Sequence, residues 1–222
     1  MDIANNLKTI LKELEPTKTT LVTVSKTHPP ELIMEAYNAG QRIFGENKVQ
    51  EMASKYEELP KDIQWHIIGH LQTNKVKYIA PFVSLIESVD SFKLLQEINK
   101  EAAKYSRVID CLLQIFIAKE ETKFGLSFDE ASAIILSPET KTLKNIRIIG
   151  LMGMATLTDN KTTIHNEFKS LKQFYDSLKT EHNFSILSMG MSSDYKIAIE
   201  EGSNMVRIGS AIFGERSNLI IS

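Results

Sequence analysis

Apolar runs of strand length recur along the chain, separated by segments with helical periodicity. The strand-like runs are TLVTVS (20–25), RIFG (42–45), WHIIG (65–69), VSLIESV (83–89), DCLLQIFI (110–117), IRIIGLMG (146–153), FSILSMG (184–190) and NMVRIGSA (204–211). Most are near-continuous in Val, Ile and Leu instead of alternating. That pattern predicts strands buried on both faces, as in a parallel sheet covered by helices. The helical patterns between them are PPELIMEAYNAG, NKVQEMASKYEEL, LQTNKVKYIAPF, SFKLLQEINKEAAKY, SFDEASAIILS, TTIHNEFKSLKQFYDSLKTEH and SDYKIAIEEG. Pro29 and Pro30 stop the first strand and can open a helix at its first turn. Gly40 and Gly202 stand where C-terminal caps belong, and SFDE at 127–130 fits a capping box. Eight strands alternating with helices predict a (β/α)8 TIM barrel of the α/β class, with one extra helix over residues 3–15 ahead of the first strand. An open doubly wound sheet has the same alternation, and periodicity alone does not decide closure. With no linker, low-complexity stretch or fixed-period repeat in the sequence, residues 1–222 read as a single domain.

Composition narrows the class. Of 222 residues 42% are hydrophobic and 24% charged, and the formal net charge is −2, so no strongly basic face is available and nucleic acid is not an expected partner. The single cysteine, Cys111, lies inside CLLQIFIA and reads as a buried small hydrophobe. No run reaches the roughly 18 apolar residues of a membrane helix. The start, MDIANNLKTILKELE, is amphipathic and lacks the layout of a signal peptide. A soluble cytoplasmic protein without a membrane partner is the expectation.

In a parallel barrel, ligands bind at the C-terminal ends of the strands. Lys26 follows the first strand directly. It is either a solvated rim lysine or a Schiff-base amine, and the second role needs a neutral amine, favoured by burial or a nearby cation. After the seventh strand, MGMSSD offers Gly190 for close backbone approach and the hydroxyls of Ser192 and Ser193 at a helix start. After the eighth, RIGSAIFG adds Gly209 and the hydroxyl of Ser210. Loops in these two places commonly hold phosphate in such barrels, although each could be a plain turn and Ser193 only a cap. Arg207 is a cation within an apolar strand and needs a buried partner. Asn47, in GEN, can both donate and accept. His66 and His70 read as core or rim histidines, without metal-ligand spacing, and His165 and His182 as solvated helix positions. Trp65 reads as packing. Met152, Met154, Met189 and Met191 flank two strand ends and read as core, or as an apolar ligand wall.

Together VSKTHP, FGENKVQE, WHIIGHLQTNK, KFGL, GLMGMA and LSMGMSSDYKIAIEEGSNMVRIGSAIFGER resemble the pyridoxal phosphate homeostasis proteins, small single-domain relatives of the alanine racemase barrel. The resemblance runs in order from about residue 20 to residue 216. It implies an alanine racemase N-terminal-domain-like barrel with pyridoxal 5′-phosphate (PLP) at its mouth and Lys26 as the internal aldimine. It also implies that Ser192, Ser193, Gly209 and Ser210 hold the phosphate, that Arg207 faces the pyridine nitrogen and that Asn47 lies near the ring. The implied role is to buffer or deliver PLP within the cell, as a monomer, with PLP-dependent apoenzymes as recipients.

Two other readings compete. An amino-acid racemase needs a second base, which in the racemases resembling this barrel is a tyrosine from an additional β-domain across a dimer. This chain ends about a dozen residues after the eighth strand, so that domain is not expected, and Tyr195 beside the phosphate loop reads as an ordinary helix position. A class I aldolase would also use a barrel lysine and a phosphate cradle, but would not share the extended motifs.

Overall fold

Eight parallel strands close into a barrel in chain order, in a computed structural model that describes residues 2–119 and 124–214. The strands are β1 (Thr20–Val24), β2 (Ile43–Glu46), β3 (Gln64–Ile67), β4 (Leu85–Val89), β5 (Ile109–Ile115), β6 (Ile146–Gly153), β7 (Ile186–Met191) and β8 (Met205–Ile208). Closure comes from β1 pairing with β8, Thr20 opposite Met205 and Val22 opposite Arg207, which rules out the open sheet. The helices are α1 (Ile3–Leu14), α2 (Pro30–Asn38), α3 (Val49–Glu58), α4 (Phe92–Ala103), α5 (Phe128–Leu136), α6 (Pro138–Thr142), α7 (Lys161–His182), α8 (Tyr195–Glu200) and α9 (Ser210–Phe213). Among the described residues no helix is long and apolar enough to cross a membrane.

Local chemistry explains most boundaries. Pro29, in an extended conformation, precedes Pro30 at the first position of α2, where a missing N–H costs nothing. Gly40 and Gly202 adopt φ of +105° and +95° just past α2 and α8. The side chain of Ser127 accepts from the Glu130 N–H while the Glu130 carboxylate accepts from the Ser127 N–H, completing the box that opens α5.

Three segments depart from the pattern. LQTNKVKYIAPF forms only a 3₁₀ helix over Thr73–Tyr78, because Pro81 biases Ala80 away from helix and leaves too little chain for an α-helix. The eighth strand ends at Ile208, and Ser210 opens α9 in place of further strand. A short extra helix, α6, follows α5 where Ser137 caps and Pro138 takes the first position.

The barrel interior is tiered, and the period of two along each strand sets the tiers. Val22, Leu85, Leu112, Met152 and Met205, all buried, form an inner apolar cluster. Two residues further along the same five strands stand Val24, Glu87, Gln114, Met154 and Arg207, a tier that is largely polar. A separate apolar layer, with Phe44, Trp65, Ile33 and Leu7 fully buried, fills the space between the barrel wall and the helices.

Candidate functional site

Continuing the same period by two more residues leads from Val24 to Lys26 just past β1 and from Arg207 to Gly209 just past β8. Both belong to the lining of a cavity of about 620 Å3 at the C-terminal end of the barrel, together with Asn47, Ser192, Ser193, Arg207 and Ser210. The structure therefore brings all seven predicted site residues into one cavity. Its volume falls in the range of about 300–1000 Å3 usual for small-molecule sites.

Each lining residue is held by something definable. Asn47 follows β2, and Gly69 after β3 lets it come close: a Cβ on Gly69 would fall 2.6 Å from the Asn47 carbonyl oxygen. Ser192 and Ser193 ride a tight turn in which the Met191 N–H donates to Asp194 Oδ1 at 2.6 Å and the Asp194 N–H to the Met191 carbonyl at 3.1 Å. Gly190, with φ of +99°, gives the close approach expected of it, but toward α8: a Cβ there would meet Ala198 Cβ at 2.6 Å and Tyr195 Cα at 2.8 Å. The two loops are joined where the Gly209 N–H donates to Ser192 Oγ at 3.2 Å.

Beneath them lies the partner that Arg207 requires. Its guanidinium donates to Ser188 Oγ at 2.5 Å and to the Gly153 carbonyl at 3.0 Å, and sits 3.7 Å from Glu87 Oε2. Glu87, fully buried, also accepts from Ser188 Oγ at 2.6 Å and lies 2.8 Å from His66 Nδ1. Burial alone would raise the Glu87 carboxyl, but the His66 hydrogen bond, the Arg207 charge and the Ser188 hydroxyl outweigh it and hold its pKa below the ordinary value. Burial likewise pulls the Arg207 pKa down, opposed by Glu87 and Asp194, and a guanidinium keeps its proton in any case. Replacing Glu87 with leucine should cost about 3–5 kcal/mol, the usual penalty for stripping a buried charge of its partner. Urea unfolding checks this, and a loss below about 1 kcal/mol would mean that Glu87 is not that partner.

Several lining residues were not singled out from sequence. Gln114 is a polar residue in an apolar strand, and its Nε2 donates to the Phe124 carbonyl at 2.8 Å. His28 also lines the cavity and stacks on Phe213 at 4.6 Å. His70 proves to be a rim residue with its ring stacked on Phe124 at 4.1 Å and Nδ1 3.0 Å from Asp90. Met154 and Met191 line the cavity as an apolar wall, whereas Met152 and Met189 are fully buried core. Trp65 is fully buried packing, and burial pushes the Cys111 thiol far up. His165 and His182 are partly exposed positions on α7; His165 Nδ1 lies 2.8 Å from Glu201. Lys123, at the start of KFGL, and the terminal residues 215–222 lie outside the described residues. Among the described residues no cluster could hold a metal.

The donor set defines the ligand class. An ammonium, a guanidinium, three serine hydroxyls, two side-chain amides and two imidazoles line the cavity, and among the described residues no carboxylate does. With Met154, Met191 and Phe124 as apolar surface, the cavity suits an anionic, partly flat, aldehyde- or carbonyl-bearing molecule of small size. PLP fits that description.

Residues 1–217 match the family described as alanine racemase, N-terminal domain. The pyridoxal phosphate homeostasis protein of Aquifex aeolicus is 44% identical over 199 residues, covering 88% of this chain and 86% of that protein. Its counterpart in Schizosaccharomyces pombe is 42% identical over 200 residues, covering 88% and 84%. The solved structure of PipY from Synechococcus elongatus with PLP bound superposes with a TM-score of 0.86 at 35% identity, over 96% of this chain and all of that one.

Proposed function

The chain belongs to the pyridoxal phosphate homeostasis proteins of the alanine racemase N-terminal-domain family, and from that premise we propose that it stores and releases PLP instead of turning over a substrate with it. PLP supplies an aldehyde that condenses with a primary amine, and a phosphate that anchors it. Lys26 is the amine that takes the aldehyde. Ser192, Ser193, Gly209 and Ser210 hold the phosphate across the two joined loops. Arg207 would meet the pyridine nitrogen, and Asn47 would lie beside the ring. The observation that carries this reading is the convergence of all seven residues on one cavity, whose lining among the described residues has no carboxylate. The barrel of residues 1–222 then acts as one binding unit, a cytoplasmic monomer whose recipients are PLP-dependent apoenzymes.

Two features argue for holding over turnover. Arginine offers donors and no acceptor, so Arg207 favours an unprotonated ring nitrogen, and such a ring withdraws electrons weakly. A racemase also needs a second base. The Tyr195 hydroxyl instead donates to Glu13 Oε2 at 2.6 Å, and burial together with Glu13 pushes its pKa up to about 12. Tyr195 does not line the cavity.

Adding PLP to purified protein should give a visible absorbance that borohydride fixes covalently. Adding L-alanine should then yield D-alanine and keto acid only at background rates, measured by chiral chromatography. The absence of any PLP complex would overturn the reading. Turnover at roughly 1–1000 per second would replace storage with racemase or transaminase chemistry.

A further inference from the structure

The turn that presents Lys26 is clamped from outside the barrel. Alternation along β1 sends Val24 and Lys26 inward and Ser25 outward, into the layer beneath α3. There Ser25 Oγ donates to Glu46 Oε1 at 2.6 Å. Lys55, on α3 and only 5% exposed, spends its three donors on Glu46 Oε1 at 2.8 Å, Glu51 Oε1 at 2.7 Å and the Ser25 carbonyl at 2.8 Å. Glu51 Oε1 in turn accepts the Thr27 N–H at 2.5 Å.

Thr27 has a φ of +66°. A β-branched residue in the left-handed region is an outlier that persists only where its surroundings over-determine it. The surroundings here are the Glu51 carboxylate and, through it, Lys55. Burial pushes the Glu46 carboxyl up to about 7, and Lys55 opposes that shift. A methionine at position 55 would fill the space without desolvating an ammonium.

We propose that Lys55, with Glu46 and Glu51, is a positioning cluster that fixes the backbone on both sides of Lys26 and so aims its amine at the ligand aldehyde. This deepens the PLP reading and rests on it. The step it serves is the addition of the neutral Lys26 Nζ to the aldehyde carbon. A carbon–nitrogen bond forms, the aldehyde oxygen leaves as water with the two amine hydrogens, and the carbon–nitrogen link ends as a double bond.

The test separates covalent capture from cradle binding. Lys55→Met and Glu51→Ala are compared with wild type for the rate of covalent PLP attachment, by visible absorbance and borohydride trapping. Their affinity for pyridoxine 5′-phosphate, which has the phosphate and ring but no aldehyde, is measured in parallel. Both variants should attach PLP at least tenfold more slowly while binding pyridoxine 5′-phosphate within about twofold of wild type. Glu51→Gln, which keeps an oxygen acceptor for the Thr27 N–H, should recover most of the rate. Attachment at the wild-type rate in either folded variant overturns the proposal, as does a parallel loss of both readouts. If Lys55→Met does not fold, Glu51→Ala decides alone, since Glu51 is partly exposed at the edge of the cluster. A wild-type protein that binds neither compound would sink the PLP reading itself, and this proposal with it.

Discussion

Lys26→Ala is expected to abolish covalent attachment of PLP, leaving no aldimine absorbance and nothing for borohydride to fix on the protein. The reason is geometric. Lys26 is the lysine that lines the cavity among the described residues, two positions beyond Val24 on the inward face of β1. Lys75 belongs to the 3₁₀ helix and its ammonium lies 5.8 Å from the ring of Tyr78, outside the cavity lining. The variant should still bind PLP without a covalent bond, because the cradle and Arg207 are untouched. Peptide mapping of the reduced wild-type protein is the direct check: an adduct found mainly on Lys75 or Lys123 would refute the assignment.

The second large effect lies at the other end of the ligand. Pyridoxal, which lacks the phosphate, should bind at least a hundredfold more weakly than PLP. A hydrogen bond to a charged group is worth about 1.5–3 kcal/mol, and each 1.4 kcal/mol is about a factor of ten. Two such bonds therefore suffice, and the loops offer three hydroxyls. Ser192 is the best prepared of them. Its oxygen already accepts the Gly209 N–H, which leaves the hydroxyl proton free to point elsewhere. Ser192→Ala should weaken PLP about tenfold and leave pyridoxal nearly unchanged. Equilibrium dialysis with both ligands measures this, and equal affinities for PLP and pyridoxal would mean that these loops are not a phosphate cradle.

How much of this was legible in the sequence depended on which rule did the ordering. The eight strands and the loops after them follow from apolar runs and turn residues, and the proline, glycine and capping-box signals fixed several helix ends. Closure was not legible, because it depends on the pairing of Thr20 with Met205, across almost the whole chain. The 3₁₀ helix at Thr73–Tyr78 was misread because an amphipathic pattern does not report that Pro81 cuts it short. Lys26, Arg207 and the serines stood out as polar groups at apolar strand ends. Glu87 and Gln114 carried the same signal as Arg207, a polar residue inside an apolar strand, but the partners of Glu87 lie on other strands and that of Gln114 in the segment after β5, and only the fold joined them. Lys55 gave no signal at all. On an amphipathic helix a lysine reads as solvated, and only the placement of α3 over Glu46 buries it.

The tiered interior has a consequence for traffic. The apolar tier of Val22, Leu85, Leu112, Met152 and Met205 forms a buried floor beneath the cavity, so among the described residues the barrel reads as a vessel closed below and lined at its C-terminal end. Stored PLP would then leave by the same end at which it entered, where the stacked His70 and Phe124 belong to the cavity lining. Loading and unloading cannot proceed at once, and a filled molecule cannot pass its cargo through to an opposite side. On the storage proposal each barrel would be a one-place store, able to take a new PLP only after the previous occupant had gone.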